Sequence, residues 1–520
     1  MSRTRGAVVL AALAAVVAAV ICLLPDDFPK VVQPQSAGRP PKLRPDYAGT
    51  VFPPNIAAPS FVVEEEGSAF VVELHGDRGE PIRAWSKDGG LDFSLHSWRR
   101  LLEENRGRSL EIRAFVLDAG GRWTRFEPLH SLVAEEPIDS YLVYRRINVL
   151  YNYYTHMQIR ERHLESYADR LILDNGSFGR GCMNCHTFLN NGTDRMLIQM
   201  RSGKVDHGHG MLLIQDGRVS KINTRTERDP GLAAFSSWHP SGRVVAFSTN
   251  TVRQFFHSSR QEVREGIDLN SNLSYYRVDS GLVSSRPVLC RPDRMETWPS
   301  WSADGTHLYY CTAPLPWTPE GDRIPDNYAD AMYDLMRIPY DVATDTWGDP
   351  EVVLSAAEAG MSITLPRESP DGRFLVICMS PHGGFPAMEP EADLYVMDTA
   401  TRRVRPLPGN SDQTETWHSW SSNSRWLAYA TKAGDGLFTR PAFCYVGQDG
   451  VVCKPFVLPQ RDPRFYDSSI RLYQLPELIR EPVPVRGEQI ARVIRREQWT
   501  GVDIPVTSAT PPAETWRPAQ

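Results

Sequence analysis

The sequence predicts a mainly β chain built around a propeller of five blades, extending to six, and two observations carry that expectation. Four segments align without gaps: AFSSWHPSGRVVAFS from Ala234, TWPSWSADGTHLYYC from Thr297, TLPRESPDGRFLVIC from Thr364 and TWHSWSSNSRWLAYA from Thr416. Such a recurrence marks a repeat architecture. Second, 41 prolines and 37 glycines punctuate the 520 residues, which suits many short strands better than long helices.

Each repeat reads as strand, tight turn, strand. Pro240-Ser241-Gly242, Ala303-Asp304-Gly305 and Pro370-Asp371-Gly372 tolerate hairpin backbone angles, and Asn423-Ser424 is a degenerate version. Further strand pairs follow, such as Asp393–Asp398 before Arg403–Leu407, and Phe443–Val446 before Val451–Val457. Four strands per unit is the propeller arrangement. Residues 196–201, 211–214 and 219–223 supply one more blade without the turn signature, so the propeller is expected over 196–475.

Ahead of the repeats, an apolar run from Ala7 to Leu24 follows Arg3 and Arg5. Its 18 residues just span a bilayer, and no small-x-small cleavage site follows, so an N-terminal anchor over 1–24 is favoured over a cleaved signal peptide. Bulky Ile21 argues against lipidation of Cys22. The basic end stays in the cytoplasm and the rest lies outside, single-pass on the inner membrane and facing the periplasm. Residues 25–60, with Pro34, Pro40, Pro41, Pro45, Pro53, Pro54 and Pro59 among their prolines, read as a linker, residues 61–146 as a small β-sandwich, and 476–520 as a disordered tail. Ile147, Leu150, Tyr151, Tyr154 and Met157 recur at helical spacing, so 147–195 reads as a helix leading into an attachment segment. A net charge of −6 with 23% charged residues argues against nucleic acid as a partner.

That attachment segment is Cys182-Met183-Asn184-Cys185-His186, the sequence that binds c-type haem: two thiols form thioethers with the vinyl groups and the adjacent imidazole ligates iron. Haem attachment takes place outside the cytoplasmic membrane, where the anchor puts residue 182. A redox dithiol would need a βαβ context, and a zinc site would need a second pair such as His207 and His209. The haem reading makes Cys182 and Cys185 the thioether residues, His186 the proximal ligand and Met196 the distal ligand, with Met200, on the same strand face, as its substitute and Met211 and Met157 as further candidates.

Other residues were weighed. Cys311 and Cys378 fill a small-residue position of the repeat and read as buried thiols. Cys444 and Cys453 flank a turn symmetrically and could form a cross-strand disulfide. Trp238, Trp301 and Trp420 read as blade-core residues, and Glu296 and Glu415 as solvated rim carboxylates rather than a channel site.

The Trp-Ser-x-Asp-Gly and Ser-Pro-Asp-Gly segments resemble the repeats of TolB-like propellers over roughly 196–460, and the whole chain resembles a bacterial envelope family coupling one Cys-x-x-Cys-His motif to such repeats. The resemblance implies a cytochrome and no substrate. The resulting expectation is a mono-haem electron carrier docking a redox partner protein through the propeller or haem edge. Its rivals are a haem enzyme with an open sixth iron position and an envelope scaffold or binding protein with a structural or sensory haem.

Overall fold

The structure is a computed structural model that describes residues 28–148, 156–201, 210–225, 231–318 and 323–496. The expected anchor over 1–24 lies outside the described residues, among which no helix is long and apolar enough to cross a membrane.

Six sheets of four or five strands follow one another as blades. Their inner strands are Cys182–Phe188, Ala233–Trp238, Arg294–Trp301, Ser362–Glu368, Glu415–Trp420 and Arg471–Ile479, for blades 1 to 6. Each inner strand packs on the next, and the sixth on the first, so the ring is closed around a central channel. The hairpin turns fall where the repeats place them, with Gly242, Gly305 and Gly372 at positive φ. Trp238, Trp301 and Trp420 are buried in blade cores, as expected.

Blade 6 is the blade that the repeat signature misses. Its strand order is Asp169–Asp174, Met157–His163, Tyr141–Asn148 and Arg471–Ile479, so strands that precede the repeats pair with one that follows them. The register Ile147↔Leu472 and Tyr141↔Ile479 ties the strands before the repeats to the strand after them. Closure leaves no inner edge exposed to pair with another chain.

Blade 6 also corrects two expectations, and the N-terminal unit a third. The anticipated helix from 147 is a run of strands: Ile147 pairs with Met157, while Leu150, Tyr151 and Tyr154 lie outside the described residues. Tyr141–Asn148 is buried on both faces, which erases the alternation that identifies a half-exposed strand. The tail is folded through Ile494, because Arg471–Ile479 closes the ring and the helix Gly487–Ile494 buries Ile490, Ala491 and Ile494 on blade 6.

The linker is the third correction. Residues 35–63 contribute strands to two sheets, and Phe52, Pro53, Pro54, Ile56, Ala58 and Pro59 are buried. The prolines sit at sheet edges and in packed turns, where no amide is needed. With residues 61–133 they form a seven-stranded and a three-stranded sheet around the helix Leu95–Glu104, which the sandwich expectation lacked. Ser94 caps that helix, Trp98, Leu101 and Leu102 fill one face, and the Trp98 indole donates to the Ile56 carbonyl at 3.1 Å. This unit is docked on blade 5: Trp426, Phe443 and Phe456 share its core, and Ser422 donates its amide to Asp139 at 2.8 Å.

Candidate functional site: the propeller channel

Each inner strand carries a bulge near its middle, where its register against the neighbouring strand slips. A bulge re-aims a side chain. Here the bulges deliver a ring of six residues to the channel: Cys185, Phe235, Trp298, Leu365, Trp417 and Leu475. Five of them, Phe235, Trp298, Leu365, Trp417 and Leu475, adopt positive φ between 39° and 52°, costly for bulky side chains and repeated blade after blade. Phe235 lies 5.7 Å from Trp298 and 5.9 Å from Trp417, so the ring is largely aromatic, with Cys185 as its thiol member.

One step further along, the equivalent residues are His186, Ser236, Pro299, Pro366, His418 and Pro476, all lining one cavity of about 90 Å³. Cys185-His186 is therefore in register with Trp417-His418. The sequence held this signal: Cys185-His186-Thr187-Phe188 matches Trp417-His418-Ser419-Trp420 in pattern, one blade ahead of the first repeat that aligns without gaps.

His186 is buried against blade 6, facing the Val143 and Leu475 carbonyls, with neither ring nitrogen in a hydrogen bond of normal geometry. Burial, with Arg145 adding positive charge, pushes it down to about 3, so the imidazole is neutral. His418 is pushed down to about 3 for the same reasons, with Arg367 as the nearby cation, and its Nε2 donates to the Val376 carbonyl at 3.1 Å. Arg145 reaches from blade 6 into the motif and donates to the carbonyls of Met183 at 3.1 Å and Asn184 at 2.9 Å, and to Gln474 at 2.6 Å. Across the channel wall Arg367 pairs with Glu477 at 2.9 Å; burial raises the Glu477 carboxyl and Arg367 opposes it.

Cys182, Cys185 and His186 are the donors expected for a c-type haem, and the fold spreads them. Cys182 sits in the core between blades 1 and 6, whereas Cys185 packs in the channel ring, where burial pushes its thiol up to about 11. His186, opposite Ile198, faces the blade 6 side, so Cys185 and the imidazole leave the strand in different directions. The 90 Å³ beside them is well below the roughly 300 Å³ at which cofactor pockets begin. Met196 pairs with Phe188 and shares its strand face with Ile198 and Met200, as expected. That face is the one His186 occupies, so in the packed strands Met196 and Met200 rise beside the imidazole rather than across from it. Met157 is buried in the same core and Met211 in the next, while His207 and His209 lie outside the described residues.

Two further corrections concern residues away from the motif. Cys444 and Cys453 are free thiols: Cys444 faces the core shared by blades 4 and 5, Cys453 the N-terminal unit. Glu296 and Glu415 are fully buried rather than rim-solvated. Glu296 accepts from Arg291 at 2.7 Å, while Glu415 accepts from Ser411 at 2.8 Å and is pushed up to about 7 by burial.

No protein-family model matches the sequence, and no curated protein matches it. In fold the chain is similar to a chain of a nidogen/laminin complex (9% identity, 66% of this chain and 99% of that one, TM-score 0.39) and to a luciferin-regenerating enzyme (9%, 62% and 96%, TM-score 0.35). It is also similar to oligogalacturonate lyase from Vibrio parahaemolyticus (10%, 59% and 92%, TM-score 0.31). The sheet order itself establishes what these neighbours accompany: a mainly β chain folded as a propeller.

Proposed function

We propose that this chain is a periplasm-facing redox protein bearing one covalent haem c at Cys182, Cys185 and His186. In this reading it is tethered to the inner membrane by residues 1–24, and its TolB-like propeller docks a redox partner protein. The observation that carries the reading is His186, a neutral, buried imidazole at the end of a Cys-x-x-Cys-His sequence in which Cys182 and Cys185 are not joined in a disulfide. A haem held there supplies one-electron transfer. The chain's own residues keep His186 in its ligating, unprotonated form, while Arg145 fixes the main chain between the two thiols. Attachment requires the start of the Cys182–Phe188 strand to leave its pairing with Met200 and Arg201, since the packed strand leaves too little room.

A second reading rests on the register match of His186 with His418. If Cys185-His186 is only the inner-strand step that Trp417-His418 also occupies, the chain is an envelope binding protein that works through its channel without haem. The pyridine haemochrome spectrum of the full chain, exported in cells that mature c-type cytochromes, separates the two. A c-type α-band supports the redox reading, and a colourless folded propeller overturns it in favour of the second.

A further inference from the structure

The long hairpin of blade 2 runs past the channel mouth. Val244–Phe256 and Arg264–Arg277 continue beyond the point where the inner strand begins, and Phe385, from the blade 4 loop that meets this extension, packs 5.9 Å from Phe235 of the channel ring. Between hairpin and loop lie Glu265, His382 and Glu389, whose ligand atoms all fall within 4.8 Å of one another. Glu265 and Glu389 are 0% and 3% exposed. Glu265 Oε1 lies 3.5 Å from His382 Nε2 and Glu389 Oε2 lies 3.7 Å from it. Glu265 Oε1, Glu389 Oε1 and His382 Nδ1 are all buried without a hydrogen-bond partner.

Two buried carboxylates beside an imidazole, with acceptors left unsatisfied, are costly unless something positive meets them. Arg260 does part of this, touching Glu265 Oε2 and lying 3.8 Å from Glu389 Oε2, and His257 also contacts Glu265 Oε2. Both contacts are to Oε2 atoms, so Glu265 Oε1 has only His382 Nε2 at 3.5 Å and Glu389 Oε1 has no hydrogen-bond partner. Repulsion from Glu265 adds to burial in pushing Glu389 up to about 7.

We propose that Glu265, His382 and Glu389 bind one divalent transition-metal ion of the zinc class, clamping the blade 2 hairpin to the blade 4 loop over the channel mouth. A mixed imidazole and carboxylate set suits zinc and its neighbours, whereas calcium and magnesium prefer all-oxygen sites. The side chains of His382 and Arg260 are 17% and 29% exposed, so an ion can reach the site. The haem motif supplies none of these ligands.

The test is titration of the chelator-stripped full chain with zinc(II), read by calorimetry and by thermal melting, and with cobalt(II), read by its visible spectrum. One ion is expected per chain, with a raised melting temperature and weak cobalt d–d bands without thiolate charge transfer. Affinity should fall at least tenfold in His382→Ala and Glu389→Gln, and stay unchanged in Cys182→Ser and in a His207→Ala/His209→Ala double variant. Thiolate charge transfer in the parent, binding abolished by the double variant, or no binding at 100 µM zinc(II) would each overturn the site; the cobalt spectrum of the parent decides even if a variant fails to fold. Because Cys182→Ser removes a haem thioether and leaves this cluster intact, failure here and failure of the haem reading are read separately.

Discussion

His186 and His418 stand at the same step of the inner strands of blades 1 and 5, each one residue past its channel-ring residue and each buried against the main chain of the preceding blade. Both are held neutral, although an unfolded histidine takes up its proton near pH 6.5.

The pH dependence follows in sign. Since His418 is depressed to about 3 in the folded protein, the unfolded chain binds more protons between those values, so stability falls as pH drops through 6.5 and the loss levels off near 3. At pH 5.5 the penalty is about 1.4 kcal/mol. Denaturant unfolding at pH 7 and 5.5 should show the parent losing that much more than His418→Gln; equal losses would mean that the ring is charged or exposed.

Arg145 joins blade 6 to the motif. Its removal in Arg145→Met leaves the Met183 and Asn184 carbonyls and Gln474 without their donor, at a cost of roughly 2–4 kcal/mol. Hydrogen exchange should report the loss first at residues 182–186. Arg122→Ala, on an exposed turn, is expected to change stability by no more than about 0.5 kcal/mol.

The Arg367–Glu477 pair bridges blades 4 and 6. Glu477→Gln leaves Arg367, whose side chain is 34% exposed, without its counter-charge and should cost about 2–3 kcal/mol. In the double variant with Arg367→Met the losses should be less than additive by about 1 kcal/mol or more. Strict additivity in denaturant melts would show that the pair does not couple the blades.

Ring closure depends on the C-terminal strand. Leu478→Ala, at a fully buried position, should destabilise by about 2–5 kcal/mol, while Ile470→Ala, 63% exposed, should stay within about 0.5 kcal/mol. Truncation after residue 470 removes the inner strand of blade 6 and should abolish the cooperative melt.

The repeats made the propeller legible because the hairpin turns place Ser-Gly, Asp-Gly, Asp-Gly and Asn-Ser at one fixed offset from Trp238, Trp301, Glu368 and Trp420. Blade 6 was not legible, since Arg471–Ile479 and Tyr141–Asn148 are more than 300 residues apart and neither carries the turn. Pro53, Pro54 and Pro59 looked like a spacer because proline marks both extended linkers and packed sheet edges. Cys182, Cys185 and His186 were legible as a chemical motif, but their place on an inner strand was hidden, because Cys185 fills a ring position that other blades give to Phe, Trp or Leu. The Glu265, His382 and Glu389 cluster has no sequence spacing that announces it; a long hairpin and a distant loop bring it together.

Intact mass spectrometry of the denatured full chain, produced with cytochrome c maturation, reads the proposed covalent haem itself. The expected result is a chain heavier by one haem, with neither Cys182 nor Cys185 open to alkylation, and with the adduct lost when both are changed to serine. A chain at its bare polypeptide mass, with both thiols alkylated after unfolding, would contradict it.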